Sequence, residues 1–143
     1  MCEGGLLVPK ICGFIVDKIE KAYSEVYKKY GSREKIKKGS EFVEYMFARD
    51  LYDKLQELGF DVCYSTIDGA LVFYKGVFVE VEYDMEVCSW GLPDSLCYSF
   101  KFWGTDRLLE VLSTRDVMNY DYFIGNWVRE VLRKEYGIQV SFV

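Results

Sequence analysis

The chain has 143 residues, half of them hydrophobic and 17% aromatic, with a formal net charge of −5. That is enough apolar material for one sizeable core and excludes intrinsic disorder, while the acidic balance argues against wholesale wrapping of nucleic acid by a basic surface. No apolar run approaches the roughly 20 residues of a membrane span, and the opening MCEGGLLVPK lacks the pattern of a secretory signal, so the expectation is an intracellular, cytoplasmic protein.

In chain order, residues 1 to 9 are Gly-rich and read as a loose segment. From Ile11 to Tyr30 apolar residues recur at helical spacing (Ile15, Ile19, Ala22, Val26, Tyr30), and Gly31-Ser32 breaks the pattern. Ser40 is a good N-cap for a second helix that runs to about Leu58 and stops at Gly59, with the stripe Val43, Phe47, Leu51, Leu55 and Leu58. The period then changes to two. Strands are expected at 60–67, 70–74 and 77–83, with a tight turn at Lys75-Gly76, and a fourth at 97–103. Thr105 caps a short helix, and a last helix region opens near Ser113, burying Phe123, Ile124, Trp127, Val131 and Leu132 before Gly137. Ile138, Val140 and Phe142 alternate in a terminal strand. This order predicts a mixed α/β (α+β) single domain, 1–143, with helices packed on a largely antiparallel sheet. Residues 1–40 form an N-terminal basic helix and loop, and 41–143 the α/β core.

The chain has no histidine, which removes Ser-His-Asp and Cys-His catalysis and His-bound zinc. Asn119, Asn126, Gln56 and Gln139 are the only side-chain amides, a depletion associated with hot environments. Cys2, Cys12, Cys63, Cys88 and Cys97 show no CxxC pair and no zinc-ribbon spacing, so no zinc is expected. They read either as buried free thiols or, for Cys88 and Cys97, as a pair across the turn-rich SWGLPDSL stretch. No haem or nucleotide-cofactor motif is present.

Charge is uneven. Residues 10–40 carry nine Lys/Arg against four acids, and 41–143 carry nine against eighteen. The densest run contains Lys28, Lys29, Arg33, Lys35, Lys37 and Lys38, which reads either as a solvated face or as a phosphate-contacting arm. Most aromatics read as core, while Trp90, Tyr98, Trp103, Tyr120 and Tyr122 fall near element edges, where base stacking or a protein interface would use them.

The stretch from Lys38-Gly39-Ser40 with Glu41 and Glu44, through Gly59-Phe60-Asp61-Val62, to Asp68 and the hairpin with Glu80 and Glu82 resembles the restriction-endonuclease-like nucleases, within them the archaeal Holliday-junction-resolvase type. The resemblance covers positions 38 to 83. It implies Asp68 and Glu80 as metal ligands and Glu44 (less well Glu41) as the helix carboxylate, with Asp68, Glu80 and Glu82 at the catalytic position. Mg²⁺ or Mn²⁺ would activate water for phosphodiester hydrolysis. Period-two alternation puts Glu80 and Glu82 on one face, and a bend at Gly69 would bring Asp68 to them. The family lysine is replaced by Glu82, so the motif is degenerate. Tyr45 to Leu51 followed by Gly59 to Val62 and Asp68 to Tyr74 also resembles the tRNA-splicing-endonuclease catalytic domain, whose histidine this chain lacks, implying at most a structural subunit.

Two functions therefore stand side by side. One is a nucleic-acid-associated protein that is a degenerate metal-dependent nuclease. The other is a non-enzymatic interaction factor of viral or mobile-element type, acting through an acidic, aromatic-rich surface. DNA or RNA, a host protein and a second copy of the chain are the partners left open; a membrane is not expected.

Overall fold

The structure is a computed structural model and describes residues 9–75, 77–88, 91–103, 123–124, 130 and 133–134. Three helices open the chain: α1 (Pro9–Tyr30), the five-residue α2 (Arg33–Lys37) and α3 (Glu41–Glu57). Three strands follow, β1 (Asp61–Thr66), β2 (Gly69–Tyr74) and β3 (Val77–Tyr83). Then come a single turn α4 (Met85–Cys88), a 3₁₀ turn at Asp94–Leu96, β4 (Tyr98–Trp103) and the two-residue β5 (Phe123–Ile124). The sheet order is β4-β3-β2-β1-β5, with every pairing antiparallel.

Helical periodicity does what the sequence implies. Ile15, Ile19, Ala22 and Val26 of α1, and Phe47, Leu51 and Leu55 of α3, are buried in one core with Val62, Ala70, Val72, Val79, Val81 and Phe102 of the sheet. Ser40 caps α3 by accepting from the Val43 N–H at 3.4 Å. Gly59 follows its C-terminus at φ +99°, a conformation open to glycine. Lys75 takes φ 46° in the turn that pairs Tyr74 with Val77. Leu71, Phe78 and Cys63 are also buried but lie outside that helix-side core, so both faces of the sheet bury side chains.

Two expectations are corrected. Arg33–Lys37, read as part of a charge run, is a helix, capped by the Ser32 hydroxyl accepting from the Lys35 N–H at 3.1 Å and anchored by buried Ile36. Phe123 and Ile124, assigned to the last helix, form a strand on β1, where they pair with Ser65 and Tyr64. An aromatic and a β-branched residue suit a pleated edge as well as they suit a helical stripe. The expected helix at 105–112 and strand at 138–142 fall outside the described residues, and of the last helix only Glu130, Arg133 and Lys134 are described, all three helical.

The cysteine alternatives resolve. Cys88 and Cys97 are joined in a disulfide with Cα atoms 4.8 Å apart, Cys12 is disulfide-bonded too, and Cys63 is free and buried.

Candidate functional site

The charged constellation is assembled from three short pieces of chain. Arg33 and Lys37 lie four residues apart, on one face of α2. Glu44 sits in the first turn of α3, where the helix dipole favours a carboxylate. Asp68 stands in the turn between β1 and β2. Two buried tyrosines of the core fix that turn: the Tyr23 hydroxyl donates to the Thr66 carbonyl at 3.0 Å, and the Tyr98 hydroxyl to the Ile67 carbonyl at 2.6 Å. Tyr27 bonds the Tyr98 hydroxyl at 2.6 Å, and the Tyr23 and Tyr98 rings stack with centroids 4.0 Å apart. The residues just before Asp68 are therefore held by hydrogen bonds in a dry environment, and burial pushes both the Tyr27 and the Tyr98 hydroxyls above the usual tyrosine pKa.

Arg33 donates to Asp68 Oδ1, and its guanidinium lies 3.8 Å from the centre of the Tyr83 ring. Lys37 Nζ reaches Asp68 Oδ2 at 2.9 Å and Glu44 Oε1 at 3.0 Å. Partial burial works against the charge on Lys37, but its bonds to Asp68 and Glu44 outweigh that and raise its pKa. The Arg33 backbone N–H donates to Asp94 Oδ2 at 2.9 Å, tying α2 to the disulfide-closed segment. Two cations face two carboxylates, so the cluster carries no net charge.

Glu80 and Glu82 are elsewhere. Gly69 pairs with Glu82, so Asp68 falls opposite Tyr83, one residue out of phase with Glu82 and on the helix side of the sheet. Consistent with that register, the Tyr83 N–H donates to the Asp68 carbonyl at 2.9 Å. Glu80 is buried on the other face, in register with Leu71 and Lys101. Gly69 itself is pressed against β3, where it pairs with Glu82: a Cβ there would lie 2.1 Å from the Val81 carbonyl oxygen. The structure thus brings Asp68 and Glu44 together through Lys37 and keeps Glu80 and Glu82 apart from them. Among the described residues, the one group of three cysteine or carboxylate ligand atoms lying within 4.8 Å of one another is Cys88, Asp94 and Cys97.

The expected phosphate-contacting arm is also partly spent internally. Lys29 pairs with Asp50 at 2.8 Å and Lys38 with Glu34 at 2.7 Å, while Arg33 and Lys37 are committed to Asp68. Lys28 and Lys35 are exposed and have no ion pair among the described residues. Tyr98, read as an edge aromatic available for stacking, is 4% exposed and part of the core. Among the described residues, the large apolar side chains that do face solvent are Phe14, Phe42, Met85, Leu92 and Leu96, and the last three belong to the segment around the Cys88–Cys97 disulfide. None of them stood out in the sequence, because nothing in their spacing marks exposure.

No helix among the described residues is long and apolar enough to cross a membrane. Comparison with protein-family models, with curated proteins and with solved structures finds no match to this chain.

Proposed function

We propose that the protein is a non-enzymatic interaction module that docks on a protein partner through the Cys88–Cys97 disulfide loop and the turn of helix that leads into it. The observation carrying this reading is that Asp68, the residue a metal-dependent nuclease would need free, is held by Arg33 and Lys37, while Glu80 and Glu82 lie across the sheet. A divalent cation at Asp68 would have to displace two cationic side chains and then do without the second carboxylate pair. The docking surface is favoured by Leu92 at 40% and Leu96 at 39% exposure inside the loop that the Cys88–Cys97 disulfide closes, with Met85 at 78% three residues before it. A pre-ordered apolar surface loses little conformational entropy on binding. Disulfide bonding at Cys12 and at Cys88–Cys97 fits an oxidising compartment or the interior of a hyperthermophile.

The nucleic-acid reading retains one specific support, the exposed Lys28 and Lys35 beside the half-committed Lys29 and Lys38. A photo-crosslinking residue introduced at position 92 or at position 35, in extract of the native cells, separates the two. A discrete protein adduct from position 92 that disappears in Met85→Ser supports the proposal. Nucleic-acid adducts from position 35, with none from position 92, overturn it.

A further inference from the structure

The Cys88–Asp94–Cys97 group has chemistry that neither reading uses. Cys88 and Asp94 are half-buried and Cys97 is buried, with one ligand atom from each inside a 4.8 Å span. Asp94 is already oriented, since its Oδ2 accepts the Arg33 backbone N–H at 2.9 Å. A metal-ligating carboxylate is commonly held by an outer hydrogen bond of this kind. The carbonyl oxygens of Pro93 and Leu92 lie 3.3 and 3.9 Å from Cys97 Sγ, so the protein surrounds that sulfur with negative ends. Once the sulfurs are thiolates, two full negative charges, a carboxylate and these carbonyl dipoles converge, and a cation between them is the arrangement that relieves the repulsion.

We infer that Cys88, Asp94 and Cys97 form a redox-gated zinc site, closed as a disulfide and opened by reduction. The reductant is an external dithiol. Its own S–S bond forms as the Cys88–Cys97 bond breaks, and its two electrons and two protons leave two thiols on the protein. Zn²⁺ then forms two Zn–S bonds and one Zn–O bond to Asp94, and the two thiol protons pass to solvent. Two soft thiolates with one carboxylate select zinc over magnesium or manganese, and three protein ligands leave the fourth tetrahedral position for water. Cys63 does not compete, because it is fully buried and burial pushes its thiol pKa far up. The site joins the apolar segment to α2 through Asp94, so loading it would leave the exposed Leu92 and Leu96 on a metal-closed loop in place of a disulfide-closed one, with Met85 just before it.

The test uses Co²⁺ as a spectroscopic stand-in for zinc, added to the full chain before and after reduction by a water-soluble phosphine that is then removed. The reduced protein should develop a thiolate-to-cobalt charge-transfer absorption saturating at one equivalent and abolished by Zn²⁺, and the oxidised protein should not. Cys88→Ser and Cys97→Ser should each lose the band. Cys12→Ser should keep it, and Asp94→Asn should weaken affinity about tenfold or more. No band in the reduced chain, or a band surviving in both serine variants, would overturn the assignment. So would a reduced chain whose circular dichroism collapses and is not restored by the metal.

Discussion

Replacing Asp68 by Asn separates an ion-pair hub from a metal ligand, because the two roles demand stability changes of opposite sign. Asp68 Oδ2 lies 2.9 Å from Lys37 Nζ, and at an effective dielectric near 20 the bare attraction would be about 6 kcal/mol. Solvent removes most of it. Side-chain exposure of 40% for Asp68 and 34% for Lys37 puts this pair near the surface limit of about 0.2–1 kcal/mol. Arg33 is 19% exposed and covered on one side by Tyr83, so its contact with Asp68 retains more, on the order of 1 kcal/mol. Asp68→Asn should therefore cost about 1–2 kcal/mol in urea unfolding with a chelator present, and the loss should shrink at high salt. Were Asp68 instead one of three converging carboxylates, neutralising it would relieve repulsion and leave the metal-free protein equally or more stable. A variant with an unchanged or raised midpoint refutes the ion-pair account.

Three further outcomes follow from the same geometry. Gly69→Ala should destabilise by about 3 kcal/mol, because the new Cβ meets the Val81 carbonyl at 2.1 Å and backbone on both strands must give; a urea midpoint equal to wild type would contradict that strand contact. Tyr27 and Tyr98 have hydroxyl pKa values raised by burial, so their contribution is intact below the unfolded-state value of about 10 and is lost as pH climbs above it. Tyr27→Phe should lower stability at neutral pH yet decline less steeply in alkaline unfolding, and a slope identical to wild type would count against the buried pair. Any nucleic-acid binding should be weakly salt-dependent, with a log–log slope of about −2 from Lys28 and Lys35 alone, whereas six uncommitted cations would give about −5.

Much of the architecture was legible in the residues. The stripes of α1 and α3, the Ser40 cap, the Gly59 stop and the hairpin turning at Lys75 all rest on local signals strong enough to fix an element. α2 was not legible because five residues with one buried apolar side chain, Ile36, have no periodicity to detect. The expected convergence of Asp68 with Glu80 and Glu82 runs against the parity of the hairpin. With Tyr74 opposite Val77, counting back along the hairpin sets Asp68 opposite Tyr83 and out of phase with Glu82, a signal present in the sequence and overridden there by the resemblance. The partners that Asp68 does have, Arg33 and Lys37, come from 31 to 35 residues away, and no spacing rule anticipates an ion pair made across that distance. Exposure on the 84–97 segment was equally silent, since it depends on how a disulfide-closed turn sits on its neighbours.

Asp68 and Glu44 are held in a charge network with Arg33 and Lys37, and side-chain carboxyl ¹³C NMR during a Mn²⁺ titration reads whether a divalent ion enters it. Paramagnetic broadening reports which carboxylates the ion touches. The account predicts that the Asp68 and Glu44 signals stay sharp together under excess Mn²⁺; selective broadening of Asp68 with Glu80 and Glu82 at substoichiometric metal would contradict it.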